Sequence, residues 1–356
     1  MPFKRWSLRL LILATSVGLA AATMPMSAQP ARRVTKLADG VYAIQHGPGG
    51  GGNTTVIIGT RQVFVVDACF LPSAAREDIA QIRQWTDKPV SFLLNTHFHN
   101  DHNLGNRVYM DAFPALTIIA HVQTKKDMDM FGPGSRRREE EGAATLQRML
   151  TTGKTPAGAP LTAADQASVK NELAQARATV DELSSVAFQS ATLTFDRGLT
   201  VDIGNREVQV KFLGRGNTNG DAVAYLPSDS IAVTGDLVVH PLPYFYDGYP
   251  TEWIETLDNV GRLDASTIVP GHGPILHDKT YIYLMRDLMR SAVEQMNARL
   301  AQTRPAMFTK FDDVKGAVDL TSFRSRFAGT SKGVAEAFDE MTSELVKLVF
   351  AEARLR

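Results

Sequence analysis

From Val34 onward, short apolar runs alternate with polar and glycine-rich breaks, the rhythm of β-structure. Val41-Tyr42-Ala43-Ile44, Thr54-Thr55-Val56-Ile57-Ile58 and Gln62-Val63-Phe64-Val65-Val66 read as strands, parted by the run from Gly47 to Asn53 and by Gly59-Thr60-Arg61. Ala75, Ile79, Ile82 and Trp85 then recur at helical spacing, with Ser73 placed to cap that helix. Val90-Ser91-Phe92-Leu93-Leu94-Asn95 predicts a buried strand, and Leu116-Thr117-Ile118-Ile119-Ala120 another, ending at His121. Between Thr124 and Ser190 the character changes to Ala, Glu, Arg and Gln, with helical spacing at Val169, Leu173, Ala176, Val180 and Leu183. A turn-like stretch from Thr152 to Pro160 divides this segment into two expected helices, an insertion that serves as a lid or a wall. Strands resume at Leu193-Thr194-Phe195, Leu199-Thr200-Val201-Asp202-Ile203 and Val208-Gln209-Val210-Lys211-Phe212-Leu213. Near the C-terminus, Met285, Met289, Ala292, Met296 and Leu300 mark one amphipathic helix and Phe338, Met341, Leu345 and Leu348 another. Such faces either pack on the sheets or join two copies of the chain, and the pattern alone does not choose.

The first residues follow a different pattern. Lys4, Arg5 and Arg9 precede an apolar run from Leu10 to Ala22 that is short for a membrane span, and small residues offer cleavage after Ala22 or Ala28. We expect a cleaved signal peptide over residues 1–28, with export to a bacterial periplasm or secretion and no lasting membrane anchor. The rest divides into a sandwich domain over 34–280, carrying the helical insertion 124–190, and a C-terminal helical extension over 281–356.

Composition narrows the function classes. Lys plus Arg and Asp plus Glu are both 38, so no bulk field exists to draw nucleic acid or an anionic membrane. Opposite charges in Arg136-Arg137-Arg138-Glu139-Glu140-Glu141 lie at i, i+4 and read as a solvated helix face. The single cysteine, Cys69, excludes an intrachain disulfide and reads as a small packed residue. The glycine run at 47–52 lacks the Gly-Lys-Ser/Thr ending of a phosphate cradle, and is expected to be a flexible edge of the active site.

The chemistry is concentrated in Thr96-His97-Phe98-His99-Asn100-Asp101-His102, which holds three of the chain's 8 histidines. His97 and His99 leave a buried strand in extended chain, where alternate side chains share a face and two imidazoles converge on one ion. Asp101 and His102 can turn toward a second point nearby. Imidazole with carboxylate suits zinc, and suits iron or manganese less selectively.

His97-Phe98-His99-Asn100-Asp101-His102 resembles the signature of the metallo-β-lactamase superfamily, and other segments follow in the expected order from about Val34 to His277. Asp67 ends one strand, Thr234-Gly235-Asp236 ends the strand Ile231-Ala232-Val233, and Pro270-Gly271-His272-Gly273 follows Thr267-Ile268-Val269. The resemblance implies an α/β fold, an αββα sandwich with the metal site at one edge. It also implies ligands: His97 and His99 in the first position, Asp101, His102 and His272 in the second, and Asp236 bridging them. One departure stands out. Gly214-Arg215-Gly216-Asn217-Thr218 puts Asn217 where the family has a histidine, and an amide is a weaker zinc ligand than imidazole.

His240 falls on the face of Asp236 if that strand continues, as a substitute ligand or proton carrier, and Tyr244 is a candidate for the substrate wall. His46, His121 and His277 are left to structural or surface roles. The expected activity is zinc-dependent hydrolysis of a small-molecule β-lactam, lactone, ester or thioester, with one or two ions and with Asp101 orienting or deprotonating the water. The alternative is an exported metal-binding or accessory protein that kept the scaffold without turnover, a reading that rests on Asn217.

Overall fold

The computed structural model describes residues 32–47, 51–303 and 309–354, so the expected signal peptide lies outside the described residues. Among the described residues no helix is long and apolar enough to cross a membrane.

The first sheet holds β1 (Arg33–Ala38), β2 (Val41–Gln45), β3 (Thr54–Ile58), β4 (Val63–Val66), β5 (Val90–Leu94), β6 (Thr117–His121) and β7 (Leu193–Phe195), side by side in chain order. β1 to β4 pair antiparallel, whereas β4 to β7 run parallel. Parallel neighbours require crossovers, and helices supply them. α1 (Pro72–Trp85) links β4 to β5, and α2 (Asn100–Asn103) with α3 (Asn106–Ala112) links β5 to β6. The second sheet runs β12 (Thr267–His272), β11 (Ile231–Val239), β10 (Ala222–Leu226), β9 (Glu207–Phe212), β8 (Gly198–Asp202). Only β11 and β12 are parallel there, joined by α7 (Pro250–Arg262).

Phe64, Leu94 and Ile119 of the first sheet meet Val210, Ala224 and Val233 of the second in the layer between them. Their alternate neighbours Val63, Val65, Leu93 and Ile118 face outward onto Ala75, Ile79 and Ile82 of α1 and Tyr109 of α3. Burial on both faces explains why β4 reads as a continuous apolar run and β5 as one broken only by the half-buried Ser91. The outer face of the second sheet is covered by α7, α8 (Thr280–Leu300) and α10 (Lys332–Ala353), with Trp253, Met285, Met289, Phe338 and Leu345 in one apolar cluster. The layers are helix, sheet, sheet, helix: an αββα sandwich on which the C-terminal helices pack, with α9 (Thr321–Ala328) leading into α10.

Several local expectations change. α1 begins at Pro72, with Leu71 at the cap and Ser73 inside the first turn. The Ser73 N–H donates instead to the Glu182 carboxylate, 3.0 Å away, so a residue of the insertion satisfies the helix end. The insertion has three helices: α4 (Val122–Phe131), which leaves β6 directly, then α5 (Ser135–Thr152) and α6 (Ala163–Ser184). α5 stops at Gly153 in the left-handed conformation, and α6 starts with a Thr162–Asp165 capping box. β10 was not anticipated. β11 does not end at Asp236 but runs on to Val239, with an irregular register to β12 around Gly235.

Candidate metal centre

The candidate ligands gather where chain leaves the carboxyl ends of parallel strands, the usual place for a site in such sheets. Beyond β5, Asn95 donates to Ile119 O (2.9 Å) and Thr96 O accepts from the Ala222 N–H (2.8 Å), so both sheets grip the chain just before the ligands. His97 and His99 then share a face, with His97 Nε2 only 2.9 Å from His99 Nδ1. The turn of α2 lifts Asp101 and His102 to a second point, and β12 delivers His272, whose Nε2 is 3.2 Å from His102 Nε2 and 3.0 Å from Asp101 Oδ2. Asp236 lies between the two sets. Its Oδ2 is 3.6 Å from His97 Nε2, and its Oδ1 is 3.3 Å from His102 Nε2 and 3.6 Å from His272 Nε2.

Asp67 fixes which ring nitrogens face inward. Its buried carboxylate accepts from the Thr96 N–H (2.8 Å), the Thr96 hydroxyl (2.8 Å) and His102 Nδ1–H (2.8 Å). Because the Thr96 hydroxyl spends its proton on Asp67, its oxygen accepts from His97 Nδ1–H at 3.0 Å. His97 and His102 are thereby both held by Nδ1, with Nε2 turned toward Asp236, a carboxylate–histidine arrangement typical of metal ligands. His99 is held from outside, its Nε2 lying 3.3 Å from Asp247 Oδ2.

These residues fit a metal ion on two observations. First, the ligand atoms of His97, His99 and Asp236, and those of Asp101, His102 and His272, lie within 4.8 Å of one another in each set. Zinc bonds of about 2.0–2.1 Å at tetrahedral angles put ligand atoms about 3.3 Å apart, close to the spacings above. Second, Asp236 Oδ1 is buried with no hydrogen-bond partner, a costly state unless a cation faces it. The charges respond to this crowding. Burial alone would lower the His102 imidazole, yet Asp236, Asp101 and Asp67 outweigh it and hold it well above its ordinary range. Burial would raise Asp101 and Asp236, but the surrounding histidines hold both carboxyls below theirs. His97 is pushed well down by burial, then by His102.

Two glycines allow this density. A Cβ at Gly52 would sit 2.2 Å from the His102 ring, and one at Gly271 would sit 1.9 Å from Asp236 Oδ1. Gly52 donates to Asp101 O at 3.0 Å and Asn53 to Gly271 O at 2.6 Å, so this end of the glycine run is a bonded floor rather than the flexible edge expected. The insertion is a wall on the other side: Phe131 packs on Phe98 at 5.6 Å, and Ser135 donates to Asn100 at 2.8 Å.

Asn217 is buried at the first set, its Nδ2 3.5 Å from His99 Nδ1. Its loop is pinned by the buried Asp221 carboxylate, which accepts from the Gly216 and Thr218 N–H groups and the Thr218 hydroxyl and is raised to about 6 by burial. Tyr244 stands at the solvent side, its ring 5.9 Å from His272 and edge-on to it. Partial burial, then the charges of Asp236 and Asp101, push its hydroxyl up. His240 is not brought into either set: its ring packs 4.8 Å from Tyr281, beyond the end of β11. His121 stacks on Phe212, and His277 is exposed. Sequence reading missed Asp247, which no motif marks, and saw Asp67 only as the end of a strand.

The family model of the metallo-beta-lactamase superfamily matches residues 47–272. A linear primary-alkylsulfatase from Pseudomonas sp. (strain ATCC 19151) is 20% identical over 239 residues, which is 65% of this chain and 43% of the relative. A metallo-beta-lactamase type 2 from Elizabethkingia meningoseptica is 25% identical over 114 residues, 30% of this chain and 45% of that one. The chain thus spans less than half the length of these curated relatives. Among solved structures, the metallo-beta-lactamase from Pontibacter korlensis shares the fold with a TM-score of 0.51 at 18% identity, over 73% of this chain and 99% of the other. The DIM-1 metallo-beta-lactamase does so with a TM-score of 0.50 at 18% identity, over 74% and 99%. With more than half of its residues under the family model and the ligand motifs converging at one sheet edge, this chain belongs to the metallo-beta-lactamase superfamily.

Proposed function

We propose that the protein is a zinc-dependent hydrolase that opens a carbonyl-type substrate, a β-lactam, lactone, ester or thioester, with an activated water. The observation that carries this reading is Asp236: a buried carboxylate, one oxygen unpartnered, facing a histidine of each ligand set. Hydrolysis as the class is supported by the names of the relatives, an alkylsulfatase and β-lactamases. His97, His99 and Asp236 would hold one ion, with the Asn217 amide beside them, and Asp101, His102, His272 and Asp236 the other. When bound, zinc supplies a Lewis acid for the substrate oxygen and makes a water acidic enough to attack near neutral pH.

The protein's own groups do the rest. Asp101 is partly exposed and kept ionised by His102 and His272, so its carboxylate can accept a hydrogen bond from a water at the mouth and orient it. Tyr244 keeps its hydroxyl proton and can donate it to a substrate oxygen beside His272. Asn217 offers its Nδ2–H on the side of His99. Phe98 and Phe131 close the site against the insertion and limit water from that direction. We place the activity outside the cytoplasm, on the strength of the basic and then apolar N-terminus.

The test is a substrate panel. The zinc-loaded protein should turn over at least one of a β-lactam, a lactone, an ester and a thioester, lose that activity to a chelator and regain it with zinc. Turnover of an alkyl sulfate alone would move the reading to sulfate esters. Bound metal with no turnover in any class would contradict hydrolysis and favour the metal-binding alternative.

A further inference from the structure

Outside the centre, an imidazole, a thiol and a carboxylate from three separate elements meet in the interior. His46 follows β2, Cys69 lies in the turn after β4, and Asp78 is on α1. Their ligand atoms lie within 4.8 Å of one another, and the side chains are almost wholly buried. Ordinary packing explains Cys69 alone but not the carboxylate. Asp78 Oδ1 accepts from Arg32 at 2.9 Å, while Oδ2 has no hydrogen-bond partner although the residue is fully buried. His46 Nε2 is 3.2 Å from that oxygen but lacks hydrogen-bond geometry toward it, and lies 3.1 Å from Thr54 Oγ1. A nitrogen and an oxygen 3.2 Å apart match the edge of a tetrahedron around a cation with bonds of about 2.0–2.1 Å. Imidazole, thiolate and carboxylate are all zinc donors, and the thiolate selects a borderline-soft ion over calcium or magnesium.

We propose that His46, Cys69 and Asp78 form a second, structural zinc site, separate from the hydrolytic centre. On loading, the Cys69 S–H bond breaks, its proton leaves to solvent, and the sulfur pair binds the ion while His46 and Asp78 complete the protein ligands. The ion ties the end of β2 and the turn after β4 to α1. That turn also carries Asp67, the residue that orients His97 and His102. Loading therefore stiffens the segment that positions the hydrolytic ligands, without contributing to the chemistry.

The chain has 1 cysteine, so any thiolate-to-metal charge-transfer band reports this site and no other. The metal-free full chain is titrated with cobalt(II) or cadmium and followed in the near ultraviolet. We expect a band that saturates at about one ion per chain for this site. It should persist in Asp236→Asn, which damages only the hydrolytic centre, and weaken by about tenfold or more in apparent affinity in His46→Gln and Asp78→Asn, as for loss of a ligand. A folded wild-type chain that gives no band at saturating ion overturns the proposal. So does a band left at full affinity in both His46→Gln and Asp78→Asn, which would mean thiolate alone. The wild-type titration decides even where a variant fails to fold.

Discussion

The two halves of the centre share Asp236 and differ in nearly everything else. The second half adds a charged carboxylate, Asp101, to His102 and His272, and its His102 is held directly by buried Asp67. The first half adds only the neutral amide of Asn217 to His97 and His99, and His99 leans on Asp247, a carboxylate 45% exposed to solvent. A screened, exposed partner orients a ligand less firmly than a buried one. An ion should therefore be held more tightly in the second half, with the first half filling later.

Breaking the shared element should have the largest effect. Asp236→Asn removes a charged ligand from both halves, and we expect metal content to collapse and turnover to fall about a thousandfold, the scale of several kcal/mol of transition-state stabilisation. Metal analysis and steady-state kinetics on one preparation check this. Asp67→Asn keeps the shape but loses the charge that sets His102 directly and His97 through Thr96, so metal affinity should fall about 10–100-fold in both halves. Competition against a zinc chelator measures it, and a loss confined to one half would contradict the shared role. Asn217→His should separate the halves, raising affinity for the second ion equivalent by about tenfold or more while leaving the first unchanged. If it lowers an existing activity, the asparagine belongs to the working mechanism.

The smallest effect is a trend with pH. In the metal-free protein His102 and His272 are raised above their ordinary value, so the stability they contribute is complete below about pH 6.5 and is lost as pH rises through the folded values. Asp101 and Asp236 are lowered, so their contribution is present above about pH 4 and is lost as pH falls. Zinc binds the deprotonated imidazoles, so its stabilising increment grows with pH. The gap in Tm between zinc-loaded and metal-free protein should widen from pH 6 to 8 by a few degrees, a change of about 1 kcal/mol or more. A constant or narrowing gap would mean that these histidines do not hold the ion.

Much of this was legible in the sequence because it is local. His97 and His99 share a face by the two-residue period of extended chain, and the strands buried on both faces announce themselves as apolar runs. β10 carried the same signal, the apolar run Ala222-Val223-Ala224-Tyr225-Leu226 after the polar break Asn219-Gly220-Asp221, although the strands expected from the pattern stop at Leu213. The N-terminal cap of α1 could not be read at all, since Glu182 arrives from 109 positions away. Asp247 reaches His99 across 148 positions, and His46, Cys69 and Asp78 come together only when β2, β4 and α1 pack. His240 illustrates the opposite error: the strand does continue as supposed to Val239, but the chain leaves it there and the ring turns to Tyr281.

The most direct test of an unequal centre built on one shared carboxylate is anomalous diffraction at the zinc edge, from crystals prepared with limiting and then excess zinc. The account predicts that at limiting zinc the peak among Asp101, His102, His272 and Asp236 exceeds the peak among His97, His99 and Asp236, and that excess zinc fills both. A first half that fills before the second, or zinc absent from Asp236 in both, would contradict it.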